Sequence, residues 1–91
     1  FNNLGYTEIE FKNYELARTY AIEARDIAKK IGDDYQIGRS YDVEGITYFE
    51  SKNYQEAVIK FKEALKIFSK LKVPEKKGIT KRVLMLNKII N

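Results

Sequence analysis

A chain of 91 residues with 33% charged residues, one Pro and five Gly has the composition of a single helical domain. It contains neither Cys nor His, which excludes disulfides and thiolate metal sites and removes the commonest general base. No apolar run reaches the ~18–20 residues that a membrane-spanning helix needs. We therefore expect a cytoplasmic protein with no cofactor, metal or enzymatic activity, and the start on Phe1 suggests part of a longer protein.

Apolar residues recur at the spacing of one helical face along most of the chain. Neither 14–31 nor 54–71 has an interior Gly or Pro, so each is predicted to form one long helix. Linkers of two or three residues force neighbouring helices to pack antiparallel. The fold class is all-α, an α-α superhelix of antiparallel helical hairpins, with helices at about 1–11, 14–31, 34–51, 54–71 and 75–90.

Residues at the helix boundaries fit the special positions of helix ends. Gly32 is suited to the left-handed conformation that ends a helix, and Asp33 or Asp34 can cap the next one. One repeat later, Pro74 fits a first helical turn, where no backbone N–H is needed.

Two asparagines are expected to cap the longest helices. Asn13 precedes the second helix and Asn53 the fourth, and Glu56 stands where a capping box would place it. We therefore predict side-chain caps at both positions.

The sequence repeats itself after forty residues. Residues 1–31 and 41–71 share 11 identities in 31 positions, including Lys12-Asn13-Tyr14 against Lys52-Asn53-Tyr54. A fixed period of this length is the signature of a helical array. We predict one domain over 1–91, with repeat one at 1–33, repeat two at 34–73 and a terminal helix at 74–91.

The small and aromatic residues of the two units resemble the tetratricopeptide signature. The resemblance rests on Leu4-Gly5, Asn13-Tyr14, Ala17, Ala24, Gly45, Tyr48, Asn53-Tyr54, Ala57, Phe61 and Ala64. It implies that Gly5 and Gly45 face Ala17 and Ala57 across each hairpin, and that the chain binds a protein or an extended peptide. The forty-residue period is similar to that of bacterial peptide-sensing regulators and of eukaryotic polarity adaptors and motor light chains. Abundant Lys, Asn and Ile favours the bacterial group.

The same resemblance implies that the first helix of each pair lines a concave groove. Asn side chains there can bond a peptide backbone, and Arg39 can meet a carboxylate. The predicted groove residues are Asn2, Asn3, Tyr6, Arg39, Asp42, Val43, Ile46, Phe49, Arg82 and Leu86.

One subtype of the family does not fit. Chaperone adaptors grip a terminal carboxylate with Lys and Asn at fixed groove positions, which here hold Asn2, Tyr6, Val43, Ile79 and Val83. The clamp is therefore missing from this sequence.

The fifth helix has more apolar residues than a capping helix needs. Met85 falls at the position of Gly45, and Ile79, Val83, Leu86 and Ile90 form one stripe. Self-association through residues 79–90, as a homodimer, stays open.

Charge is divided unevenly along the chain. Residues 1–59 carry 7 Lys/Arg against 11 Asp/Glu, while residues 60–91 carry 10 against 2. The basic half could meet nucleic acid, but its cations lie on more than one helical face and no nucleic-acid-binding motif accompanies them. The carboxylates Glu8, Glu10, Glu44 and Glu50 are interpreted as solvated or salt-bridged, because no nucleophile accompanies them.

Overall fold

The computed structural model describes residues 2–90, and every regular element in that range is an α-helix. The predicted five helices are confirmed to within one or two residues, and the predicted start of the first helix at residue 1 lies outside the described range. The helices are α1 (Asn3–Glu10), α2 (Tyr14–Ile31), α3 (Asp34–Glu50), α4 (Tyr54–Leu71) and α5 (Glu75–Ile90). Each packs against its neighbours in the chain, and α1 also contacts α3, so the all-α architecture of packed hairpins is confirmed.

Left-handed residues make the turns between helices. Gly32 has φ 72°, as predicted, and ends α2. The other three turns place a lysine in the same conformation, with φ 63° at Lys12 and Lys52 and 56° at Lys72. A side chain makes this conformation costly, so the residue types at these three turns did not predict it.

The predicted caps are right at one helix and wrong at two. Asp33 caps α3, its carboxylate oxygen accepting from the Gln36 amide at 3.2 Å. Asn13 and Asn53 make no side-chain cap bond; Asn13 Nδ2 instead donates to Glu8 at 2.7 Å. No capping box forms at Asn53, because the amide that Glu56 would accept from donates to Tyr48 O at 2.8 Å.

Aromatic side chains of α4 occupy the space left by glycines of α3. A Cβ on Gly45 would lie 2.5 Å from the Phe61 ring, and one on Gly38 would lie 2.6 Å from Phe68. The atoms nearest to that Cβ of Gly45 belong to the Phe61 ring, while the expectation that Gly45 faces Ala57 stays a prediction. A Cβ on Gly5 would lie 3.1 Å from Val43 Cγ1 and 3.5 Å from the backbone oxygen of Ala17.

The two hairpins are joined by a buried ion pair. Glu44 pairs with Arg25, and its carboxylate lies 3.9 Å from Lys60 Nζ. The Arg25 guanidinium also donates to Ser40 at 2.9 Å and stacks on the Tyr41 ring. Glu44 is thus salt-bridged, one of the two states predicted for it.

The buried stripe of α5 shows a shift in the repeat. Ile79, Val83 and Leu86 pack into the core of α4, whereas Ile90 is 38% exposed. Their spacing matches the buried Ser40, Glu44 and Thr47 of α3 at a distance of thirty-nine residues, not forty. Leu84, not Met85, therefore corresponds to Gly45, and the predicted place of Met85 is corrected by one residue.

Candidate functional site

Seven of the ten predicted groove residues reach one surface. Helices α1, α3 and α5 are the first helices of successive hairpins, and short turns make them run in the same direction. We call the surface they share the first-helix face, and its predicted residues are Asn3, Tyr6, Arg39, Asp42, Ile46, Phe49 and Arg82. All seven side chains are exposed or half-buried.

The other three predicted residues are buried. Asn2 donates its amide to Gln36 O at 2.9 Å and to Gln36 Oε1 at 3.1 Å. Val43 packs with Ala17 and Ala21, and Leu86 packs into the core beneath α5. A ligand on the first-helix face does not reach these side chains, so the surface proposed below omits them.

Asp42 lies at the centre of this surface and joins all three helices. It accepts a hydrogen bond from Tyr6 OH of α1 at 2.7 Å and one from Arg82 Nη1 of α5 at 3.0 Å. Burial raises the pKa of Asp42, while the bonds from Tyr6 and Arg82 oppose the rise. Burial and the neighbouring Asp42 carboxylate also raise the pKa of Tyr6 above its ordinary value of 10.0, so Tyr6 stays a neutral donor.

Arg39 lies over the rings of two tyrosines. Its guanidinium carbon is 5.0 Å from the centre of the Tyr6 ring and 5.8 Å from that of Tyr35. Nη2 donates to Asn3 Oδ1 in a long bond of 3.4 Å. Within residues 2–90, Arg39 is not among the cations that form ion pairs. The two rings therefore restrict a guanidinium that keeps donors for a further acceptor.

Tyr35 is itself held from α5. Its hydroxyl donates to Glu75, and this bond is the main reason why the pKa of Tyr35 is raised. Its ring also packs on Phe68 with centroids 5.9 Å apart. The aromatic support under Arg39 is thus tied to the core and to both neighbouring first helices.

Two clefts open on either side of Arg82. One has a volume of about 380 Å³ and is lined by Asp42, Pro74, Glu75, Gly78, Ile79 and Arg82. The other has a volume of about 270 Å³ and is lined by Ile46, Phe49, Glu50, Phe61, Arg82 and Met85. The Arg82 guanidinium lies 5.5 Å from the Phe61 ring centre, so the Asp42–Arg82 pair separates the two clefts. We call the second the apolar cleft, because four of its six lining residues are apolar.

Sequence reasoning missed several residues of this surface. Tyr35 precedes Arg39 by one helical turn, and that i, i+4 spacing was a usable signal. Met85 was aligned with Gly45 and was not among the predicted groove residues, whereas the structure places it in the apolar cleft. Only the one-residue shift of α5 brings it there, and a single sequence does not show that shift.

The described part of the chain offers little else that points to chemistry. Among residues 2–90, no three His, Cys, Asp or Glu side chains come together to form a candidate metal site. None of the helices in that range is both long and apolar enough to cross a membrane.

Paired antiparallel helices repeated along the chain define a helical-repeat protein. A family model described as tetratricopeptide repeat matches residues 1–70. The chain therefore belongs to the tetratricopeptide repeat family, whose members generally mediate protein–protein interactions. No curated protein and no solved structure matches the chain.

Proposed function

We propose that this chain is a protein-interaction module that binds an extended segment of a partner protein on the first-helix face. The observation that carries the proposal is the pair of clefts that flank Arg82, one of them lined by Ile46, Phe49 and Met85. Apolar side chains in a concave site with a few fixed polar groups are typical of recognition surfaces. The family supports protein binding, and the clefts support this location for it.

We further propose that this module belongs to a cytoplasmic bacterial regulator and binds a peptide there. The forty-residue spacing between the first two hairpins, similar to that of peptide-sensing regulators, supports this assignment. The abundance of Lys, Asn and Ile supports it more weakly.

Nucleic-acid binding, an alternative suggested by the basic C-terminal half, gains no support from the arrangement of α5. Arg82 turns toward Asp42 on the first-helix face. Lys77, Lys81 and Lys88 are exposed elsewhere on the helix, so these lysines and Arg82 do not form one continuous patch.

Peptide selection followed by a truncation tests the proposed surface. A display library of random twelve-residue peptides is selected on the wild-type chain, and the best peptide is measured by fluorescence anisotropy. We expect Phe49→Ala to weaken binding about tenfold, because it removes an aromatic wall of the apolar cleft. Asn3→Ala is expected to weaken it less, since Asn3 is exposed at the rim.

Ile22→Ala is the matched control, because Ile22 is 47% exposed on α2 and lies away from the first-helix face. Far-UV circular dichroism of each variant checks that it is folded. Unchanged affinity in both Phe49→Ala and Asn3→Ala, or failure to select any peptide, would overturn the proposal.

A further inference from the structure

We infer that the partner segment carries a carboxylate that binds Arg39 and, about three to five residues away, a bulky apolar side chain that enters the cleft of Ile46, Phe49 and Met85. This inference rests on the proposed function and names the chemistry of the ligand. It concerns a protein segment, and not a small anion, because both anchors must be supplied by one chain.

The Arg39 guanidinium is held in place and keeps hydrogen-bond donors for a ligand. Contacts with the Tyr6 and Tyr35 rings restrict the Arg39 guanidinium before a ligand binds. Fixing it in advance lowers the entropy lost on binding. Among the described residues the guanidinium makes a long hydrogen bond to Asn3 and no ion pair, so N–H groups remain for a bidentate carboxylate.

The two arginines of the first-helix face, Arg39 and Arg82, differ in their ion pairing. Arg82 is already paired with Asp42 at 3.0 Å, and the Asp42 side chain is only 13% exposed. A ligand carboxylate at Arg82 would lie beside a buried carboxylate and would have to replace it. Arg39 is not among the cations that form ion pairs within residues 2–90, although Asp42 also acts on it electrostatically, and we therefore place the acidic residue of the ligand at Arg39.

The smaller cleft determines where the apolar side chain of the ligand binds. The smaller cleft is walled by Ile46, Phe49 and Met85, and its rim carries Glu50. The Glu50 carboxylate repels a second acid at this end of the surface, so the charge order along the ligand is set by the protein. The volume of this cleft, about 270 Å³, is ample for one leucine, methionine or phenylalanine side chain.

The spacing follows from the geometry of α3. Ile46 and Phe49 follow Arg39 by seven and ten residues, which places them about 10–15 Å further along the helix axis. An extended segment rises about 3.3 Å per residue. The acidic and apolar anchors of a segment lying along α3 are therefore separated by about three to five residues.

The test uses the peptides selected from the random twelve-residue library. We expect Asp or Glu to be enriched three to five residues from Leu, Met or Phe. In the best peptide, acid→amide substitution should weaken binding about tenfold, and so should Arg39→Gln in the protein. The two changes together should weaken binding no more than either alone, because they remove the same contact.

Controls separate a ligand contact from a structural role of Arg39. Lys66→Gln removes an exposed cation of α4, 73% exposed, and should leave affinity unchanged. Arg39→Gln should bind the amide form of the peptide as tightly as the wild type does. If Arg39 only supported the fold, the variant would bind acid and amide peptides equally worse than the wild type.

The results distinguish failure of the carboxylate contact at Arg39 from failure of peptide binding on the first-helix face. Peptides that need Phe49 but show no acidic preference and bind Arg39→Gln normally would overturn this inference and leave the proposed function standing. A selection that yields no peptide would overturn both. Additive losses in the Arg39→Gln and amide-peptide cycle would also overturn the assignment of the carboxylate to Arg39.

Discussion

At the scale of single residues, Asp42 shows how the first-helix face holds a charge away from water. Its carboxylate is shared between a tyrosine and an arginine from two other helices. Each bond satisfies part of the carboxylate, yet burial still raises its pKa. The arrangement favours a neutral Tyr6, because an anionic phenolate would lie against Asp42.

Alkaline unfolding tests the state of Tyr6. The pKa of Tyr6 is raised in the folded chain above the 10.0 of an ordinary tyrosine, chiefly by burial. A raised folded pKa means that this contribution to stability is fully present below pH 10 and is lost as the pH rises above it. The loss reaches at most about 1.4 kcal/mol per pH unit, because only the unfolded chain ionises there.

The measurement is the free energy of unfolding in urea at pH 8–12, for wild type and Tyr6→Phe. We expect the difference between them to be constant below about pH 9.5 and to shrink above pH 10, since the phenylalanine side chain of the variant cannot ionise. Tyr20→Phe, on α2 away from Asp42, serves as the comparison. Parallel pH curves for wild type and Tyr6→Phe would contradict the assignment.

The residues of the surface were only partly predictable from the sequence. Tyr6, Arg39 and Asp42 could be placed on the first-helix face because their spacing follows the helical period. Val43 differs from Asp42 by one position, about 100° around the helix, and that step is enough to turn it into the core. The approach of α1 and α2 decides which of the two is buried, and a single sequence does not show it.

At the scale of helices, three of the four turns place a lysine in the left-handed backbone conformation, which is strained for a residue with a side chain. Gly32 and Lys72 occupy equivalent positions at the ends of α2 and α4, and both are left-handed. Glycine takes this conformation without the clash of a Cβ. The second hairpin therefore ends with a strain that the first hairpin avoids.

Replacing Lys72 with glycine should relieve that strain. We expect Lys72→Gly to raise the free energy of unfolding by about 0.5–1 kcal/mol, the steric gain being reduced by the greater freedom of glycine in the unfolded chain. Lys70→Gly, in the last regular turn of α4, should instead lower it by about 1 kcal/mol. Thermal and urea unfolding measure both, and equal destabilisation by the two changes would contradict the interpretation.

The helices themselves were predictable where the apolar period was long. Helices α2 and α4 begin and end as predicted because eighteen residues of unbroken periodicity leave little choice of boundary. The caps were less predictable, since Asn13 has both a helix end and the nearby Glu8 carboxylate as partners. The charge-assisted bond from Asn13 Nδ2 to Glu8 orients the amide, and its Oδ1 makes no cap bond to the helix.

At the scale of the whole molecule, the outer side of α5 decides how copies of the chain meet. Of the predicted apolar stripe, Ile79, Val83 and Leu86 are buried against α4. Leu84 is 59% exposed on another side, in line with three exposed lysines at i−7, i−3 and i+4. A twofold contact between two α5 helices on this side would bring like charges together.

We therefore expect the chain to be monomeric at low salt despite its apolar fifth helix. Sedimentation velocity at 10–100 μM in about 20 mM salt should give the mass of one chain, because lysines on facing helices repel within a Debye length of about 20 Å. Raising the salt to about 1 M screens the repulsion, and any dimer formed there should be removed by Leu84→Lys but not by Ile22→Lys. A dimer at low salt that Leu84→Lys abolishes would reverse the conclusion, because the apolar contact would then outweigh the charge and α5 would be an interface between copies.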